Sequence, residues 1–271
     1  MKYPTIQELF DLTGKVAFFT GAARNLGVQM ATALAECGAD IALSDIDLET
    51  TQKSAAELAA QTGRTVRAYR LDVTNEDDVA KIVDQLLADF GKIDILFNNA
   101  GNVMSESATA QIENRLYESW LHTINVNLNG MFLVSKHVLK KAMIPAKSGS
   151  IINIGSISGM IGRDRSVYKD CPEMGGTTVD YAAAKGGAIN LTRDMAVYLA
   201  QYNIRVNCIS PGGFERGQPE SFIRAYEAQT PMRRMGQDGI DLKGIAAFFA
   251  SEASRYCTGQ NIAIDGGFTA W

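Results

Sequence analysis

From Lys15 onward, short β-branched or apolar runs alternate with longer stretches of helical period, the order produced by βαβ units building a parallel sheet. Strands are expected at about Val16–Thr20, Ile41–Asp45, Val66–Asp72, Ile93–Asn98, Ser150–Ile154, Arg205–Ile209 and Asn261–Ile264. Helices fill the gaps. Leu26–Cys37 follows the first strand directly, Leu48–Thr62 ends at Gly63, and Asn75–Phe90 ends at Gly91, with Thr74 and Asp77 as its capping box. Two longer segments, about Leu116–Ala142 and Val179–Tyr202, can each carry a helix across the sheet. No linker, repeat or low-complexity tract interrupts the order, so residues 1–271 read as a single α/β domain. Two irregular stretches, Gly159–Thr178 and Pro211–Gly236, follow strands, where open parallel sheets place their ligands.

Composition excludes several functions. The net charge is −4 and no Lys/Arg run makes a basic stripe, so nucleic acid is not an expected partner. No apolar stretch reaches about 18 residues and no signal-like segment opens the chain, so no membrane partner is expected and a cytoplasmic location is. Cys37, Cys171, Cys208 and Cys257 lie far apart without a Cys-x-x-Cys pair, and His122 and His137 are the only histidines. A metal site, a disulfide framework and a Ser-His-Asp triad therefore lack material, and both histidines read as packing or surface residues. Gly155-Ser156-Ile157-Ser158-Gly159 has Ile157 at its centre where a nucleophile elbow needs serine, and no P-loop string occurs.

The run Thr20-Gly21-Ala22-Ala23-Arg24-Asn25-Leu26-Gly27 leaves the first strand and opens the first helix, the context in which a Gly-rich turn presents helix N-terminal amides to a pyrophosphate. Asp45, with Ile46 beside it, ends the second strand 24 residues beyond Gly21, close to the spacing of a ribose-binding carboxylate. A carboxylate there accepts from ribose hydroxyls and repels a 2′-phosphate, which favours NAD over NADP. Arg24 is the opposing feature, because a guanidinium suits a phosphate.

Tyr181 and Lys185 stand four residues apart at the start of a helical segment, which puts phenol and ammonium on one face. A neighbouring cation favours phenolate and should draw the tyrosine down toward a working general acid/base.

Thr20–Gly27, Asp45, Leu71-Asp72-Val73, Asn98-Asn99-Ala100-Gly101, Val126-Asn127-Leu128-Asn129-Gly130, Ser156, Tyr181/Lys185, Pro211-Gly212 and Asp265-Gly266-Gly267 occur in the order found in short-chain dehydrogenases/reductases. From about Leu12 to its end the chain resembles that family. The resemblance implies a Rossmann-type, doubly wound, seven-stranded parallel sheet with helices on both faces, assembled as homotetramers or homodimers. It implies that residues 12–150 mainly bind the dinucleotide and 151–271 carry catalysis and the substrate lid. It implies that Tyr181 transfers the proton, that Lys185 tunes it and holds the nicotinamide ribose, and that Ser156 orients the reacting oxygen. Asn127 would hold a water between Lys185 and solvent. Asp72 and Val73 would meet adenine, Asn99, Ala100 and Gly101 would line the cofactor, and Pro211 and Gly212 would flank nicotinamide.

Two features depart from the family pattern. Asn25 stands where the loop usually has a middle glycine, a residue that tolerates left-handed geometry but adds a side chain. Ser156 and Tyr181 are 25 residues apart, longer than usual, and the excess falls in a polar stretch whose Tyr168 is a rival acid/base. Tyr168 has Pro172, not lysine, four residues on, so Tyr181 is preferred.

The expected reaction is alcohol/ketone interconversion on a small molecule. Arg163, Arg165 and Lys169 in the first irregular stretch, and Phe214, Glu215, Arg216, Gln218, Arg224, Arg233 and Arg234 in or beside the second, suit a polar polyhydroxylated substrate such as a sugar, polyol or sugar acid. Likeness of the Ala22–Gly27 and Gly212–Arg216 segments to gluconate-dehydrogenase-like members points the same way. The rivals are a 3-oxoacyl-carrier-protein reductase using NADPH, disfavoured by Asp45 and an acidic chain, and a nicotinamide-binding sensor without turnover, which would need no Tyr/Lys pair.

Overall fold

A computed structural model describes residues 3–102, 111–171, 174 and 176–271. Seven strands, β1 (Val16–Thr20), β2 (Asp40–Asp45), β3 (Val66–Arg70), β4 (Ile95–Asn98), β5 (Gly149–Ile154), β6 (Ile204–Pro211) and β7 (Asn261–Ile264), form one sheet. Its order is β3-β2-β1-β4-β5-β6-β7 and every pairing is parallel. The chain reverses its direction of travel between β1 and β4, which opens a crevice at the C-terminal strand ends. β1, Val-Ala-Phe-Phe-Thr, is buried throughout, as an apolar run covered on both faces must be.

The helices are α1 (Ile6–Phe10), α2 (Asn25–Glu36), α3 (Leu48–Thr62), α4 (Glu76–Phe90), α5 (Tyr117–Ile124), α6 (Gly130–Val138), α7 (Ile144–Ala146), α8 (Val179–Leu199), α9 (Glu220–Gln229) and α10 (Lys243–Ala250). Leu34, Leu58 and Phe249 bring α2, α3 and α10 onto one core with Leu43 and Phe97 of the sheet. Val83, Val134 and Leu199 bring α4, α6 and α8 onto a second with Phe18 and Leu96. Phe18 and Phe19 are adjacent on β1 and point to opposite faces, so each core takes one. A smaller cluster of Ile157, Val167, Phe222, Tyr226, Met235 and Phe268 forms a roof beyond the ends of β5 and β7.

Several details differ from the expected ones. β3 stops at Arg70 because the Asp72 carboxylate accepts from the amide and hydroxyl of Thr74, turning the chain out of the ladder. That bond also occupies Thr74, so α4 is capped one residue later: Asn75 Oδ1 accepts from the Asp78 amide at 3.0 Å. β4 begins at Ile95, after Asp94 has turned its carboxylate to the Val16 amide. The long segment expected over Leu116–Ala142 runs as one helical path over 117–146, broken by π-helical turns at Asn125–Asn129 and Leu139–Met143. Ser119, Thr123, Asn127, Met131 and Ser135 are all buried at a spacing of four. In a plain α-helix each such step overshoots a full turn by about 40°, and the π-turn takes up the excess.

A polar chain crosses the second core. Asn98 Nδ2 donates to Ser135 Oγ and Asn153 Oδ1, both at 2.9 Å, and Asn153 Nδ2 donates to Thr192 Oγ1 at 3.0 Å. Asn98 thus ties β4, β5, α6 and α8 together, since each buried amide needs these partners. Among the described residues no helix is long and apolar enough to cross a membrane, and no group of three or more His, Cys, Asp or Glu could hold a metal. All four cysteines are free thiols, Cys171 and Cys208 buried. Pro172 and Gly175 of the first irregular stretch lie outside the described residues.

Candidate active site

The turn after β1 is closed by contact with the turn after β4. Thr20 Oγ1 accepts from the amides of Asn99 and Ala100 at 3.2 and 3.1 Å, and Asn99 Nδ2 donates to the carbonyls of Thr20 and Gly21. Gly21 has φ +63°, and a β-carbon there would overlap Ala100 Cα, so only glycine serves. Asn25 adopts φ +56°, the left-handed conformation that its place in the loop called for.

This junction floors a cavity of about 870 Å³, within the range that small-molecule sites occupy. Its wall includes Gly21, Arg24, Asn25, Leu26, Gly27, Asp45, Ile46, Asp72, Val73, Asn99, Ala100, Gly101, Asn127, Tyr181 and Lys185, all expected from the sequence. The residues fit a dinucleotide. A helix N-terminus and strand-end amides lie along the cavity, Asp45 bounds one end, and a buried side-chain acceptor, Asn127 Oδ1, has no partner among the described residues. At the Asp45 end the carboxylate accepts from the amides of Ala23 and Asp47, while Arg24 pairs with Asp47 at 2.9 Å.

At the other end, Ser156 opens a short turn in which its Oγ accepts from the Ser158 amide at 3.1 Å. The turn presses onto α8 so closely that a β-carbon at Gly159 would stand 2.5 Å from the Lys185 carbonyl carbon. Lys185 is buried, its Nζ donating to the Ile154 carbonyl at 2.8 Å and lying 5.6 Å from the Tyr181 ring centroid. Burial pushes the Lys185 ammonium down to about 8. Asn127 sits in the first π-turn and donates to the carbonyls of Asn102 and Thr123. A β-carbon on Gly101 would be 2.8 Å from Asn127 Oδ1 and 3.6 Å from Lys185 Nζ, so the free acceptor and the ammonium face one space.

The expected lowering of Tyr181 is corrected. Burial raises this phenol above its ordinary value, and the Ser156 hydroxyl and the charge of Arg163 only partly offset that. Desolvation is the largest of these effects, although Tyr181 is only half-buried and lines the cavity. Three expected residues do not line the cavity. Ser156 stands off its wall, Pro211 ends β6 against β7, and Gly212 donates its amide to Ile264 and packs on Asp265. Tyr168, the rival acid/base, is held in the roof, its hydroxyl 3.1 Å from Thr177 Oγ1 and its ring against Phe222.

Leu71, Thr74, Val126 and Ile154 also line the cavity, each beside or near a motif residue, and that adjacency was the available signal. Arg216, one of the loop cations expected from the sequence, lines it too; His122 reaches it from a distant segment, which nothing in the sequence announces, and is thus a wall residue as well as a packing one. Sequence also gave no sign of the buried pair between Arg115 and Asp180, 2.7 Å apart. It ties the first turn of α8 to residue 115. Burial alone would raise the Asp180 carboxyl, but the hydrogen bond from Arg115 helps bring it below the usual carboxylate value.

A family model described as enoyl-(acyl carrier protein) reductase matches residues 21–269. The chain is 35% identical to the 2-dehydro-3-deoxy-D-gluconate 5-dehydrogenase of Formosa agariphila, over 97% of this chain and 96% of that one. It is equally 35% identical to the 3-oxoacyl-[acyl-carrier-protein] reductase of Chlamydia trachomatis, over 94% and 98%. Among solved structures, the gluconate 5-dehydrogenase of Burkholderia cenocepacia, in complex with NADP and tartrate, superposes with a TM-score of 0.87 at 32% identity, covering 98% of this chain and 100% of that one. An NAD+-bound xylitol dehydrogenase does so with a TM-score of 0.84 at 34% identity, covering 94% and 99%.

Proposed function

The chain belongs to the short-chain dehydrogenase/reductase family, oxidoreductases that take a nicotinamide cofactor, and from that premise we propose that it interconverts a secondary alcohol and a ketone on a sugar acid or related polyhydroxylated compound, with NAD as cofactor. The observation that carries this reading is the convergence of Tyr181, Lys185 and the open acceptor of Asn127 at one end of a cavity whose other end meets Asp45. Bound nicotinamide supplies hydride exchange with the carbinol carbon. Tyr181 exchanges the hydroxyl proton with the substrate oxygen, and the Ser156 hydroxyl beside it orients that oxygen. Lys185, held on the Ile154 carbonyl, sets the field at the phenol and binds the nicotinamide ribose. Asn127 Oδ1 gives a water a place beside that ammonium, a route by which the proton reaches solvent. Asp72, Val73, Asn99, Ala100 and Gly101 hold the remainder of the cofactor, so residues 12–150 chiefly bind it and 151–271 chiefly act on substrate.

NAD is supported at the far end of the cavity. Asp45 on the cavity wall and Asp47 beside it put negative charge at this end, which disfavours a 2′-phosphate, and Arg24 is already paired with Asp47. Exposed Phe132 on α6 and exposed Val197 and Tyr198 on α8 support assembly as a homodimer or homotetramer, which light scattering would measure. A cytoplasmic setting agrees with the free thiols.

The test follows reduced-nicotinamide formation with NAD and NADP across sugar acids, polyols and hydroxyacyl thioesters. Turnover with NAD on a polyhydroxylated compound is expected, and Asp45→Ala should cut the NAD-over-NADP preference by about 30-fold. Turnover confined to hydroxyacyl thioesters with NADP would replace this reading with the carrier-protein reductase one. Nucleotide binding with no turnover at all would instead favour a sensor.

A further inference from the structure

Three of the loop cations near the substrate end are committed to carboxylates. Arg216 pairs with Asp238, Arg224 with Glu220, and Arg234 with Asp241. Arg163 differs. Among the described residues no carboxylate pairs with it, and its Nε is buried without a hydrogen-bond partner. Among the described residues its one side-chain hydrogen bond is a long one, Nη1 to Ser158 Oγ at 3.5 Å, which places it on the same turn as Ser156. The guanidinium carbon lies 5.7 Å from the Tyr226 ring centroid and 5.3 Å from that of Phe268, two rings that stack on each other 4.8 Å apart. Aromatic faces fix a guanidinium plane and leave its N–H edge to bind a planar anion in two-point fashion.

We propose that Arg163 is the carboxylate-binding residue of the substrate site, held between the Ser156 turn and the Tyr226–Phe268 stack, so that the substrate is a polyhydroxylated carboxylate and not a neutral polyol. The inference rests on the reading above and narrows it. Ser158, which Arg163 reaches, donates its amide to Ser156 Oγ, so the guanidinium stands on the turn that carries the serine expected to orient the reacting oxygen. Arg163 binds one end of an extended substrate while Tyr181 meets a hydroxyl further along the chain. A carboxylate satisfies the buried Nε, whereas a polyol offers only neutral acceptors to the same donors.

The test compares D-gluconate with D-sorbitol, six-carbon chains that differ in charge at one end, by equilibrium binding to the cofactor-saturated enzyme. Wild type should bind gluconate at least about ten-fold more tightly. Arg163→Met should weaken gluconate about 30-fold, leave sorbitol unchanged, and raise KM for any acid substrate while kcat stays within a few-fold; Arg163→Lys should recover part of the loss. Unaltered nucleotide affinity and melting temperature show that the variants fold. No preference for gluconate in wild type, or equal weakening of both ligands by Arg163→Met, overturns the proposal. Turnover of neutral polyols without charge discrimination would sink this inference and leave the broader reading standing. A gluconate preference lost in Arg163→Met, in an enzyme that turns over no polyhydroxylated compound, would do the reverse.

Discussion

Around Gly21 the chain meets itself backbone to backbone, whereas above β5 and β7 it meets itself side chain to side chain. In the first region a turn, a threonine hydroxyl and an asparagine amide lock two strand ends with no room for another atom. In the second, rings from residues 168, 222, 226 and 268 pack one against the next, the last two also against a guanidinium, and the contacts are broad and adaptable. A site for an invariant ligand gains from the first kind of construction because rigidity costs it nothing. A site that selects one substrate among many gains from the second, since a ring or a cation can change while the frame holds.

The sharpest break in that comparison is at the acid/base pair, where the two constructions meet. Tyr181→Phe is expected to lower kcat by about 10³-fold with nucleotide affinity unchanged, while Tyr168→Phe, confined to the roof, should leave turnover nearly intact. Steady-state rates on the two variants decide between the tyrosines, and an inversion of the two effects would move the chemistry into the roof.

Lys185 tests what the frame gives up for function. Its folded-state value near 8 lies below that of an exposed lysine, so between about 8 and 10.5 the unfolded chain holds a proton the folded protein has lost. Stability from this group therefore rises with pH across that window, and below it the fold bears the whole cost of a buried charge. Lys185→Met should be more stable than wild type by up to roughly 3 kcal/mol at pH 7, with the gap closing toward pH 10.5 and turnover lost. Denaturant melts at several pH values measure it; a gap that does not narrow with pH would mean the amine is not desolvated as the structure places it.

Gly21→Ala bears on the rigid region alone. The left-handed φ and the overlap with Ala100 should weaken nucleotide binding by about 2 kcal/mol, and discrimination between sugar acids and polyols should persist at saturating cofactor. Equal damage to both properties, by calorimetry and kinetics, would show that floor and roof are one mechanical unit.

The same contrast explains how much the sequence disclosed. Backbone-built features leave local signatures: Asn25, Gly63 and Gly91 take the left-handed φ that their places in the sequence predict, and Gly21 joins them in the turn after β1. The strands followed from their buried apolar runs, and errors stayed at the ends, where Asp72, Asp94 and Thr74 spend side chains on nearby amides and hydroxyls. Features built from side chains of remote segments left none. Arg115 and Asp180 are 65 residues apart, and His122 reaches the cavity from a distant segment. Tyr181 could be located by its lysine four residues on, but its shifted titration could not, because that depends on how much protein surrounds the phenol.

The π-turn at Asn125–Asn129 makes residue count a mechanical variable. One extra residue is wound into the helix there, so the segments on either side are out of phase by about 100° relative to an unbroken α-helix. Asn127 occupies the point where the phase slips. Deleting any one residue of the five would mend the helix and swing α5 around its axis, and with it the neighbouring Arg115 that anchors the residue before Tyr181. The orientation of the proton-transfer machinery thus depends on how many residues are wound between α5 and α6.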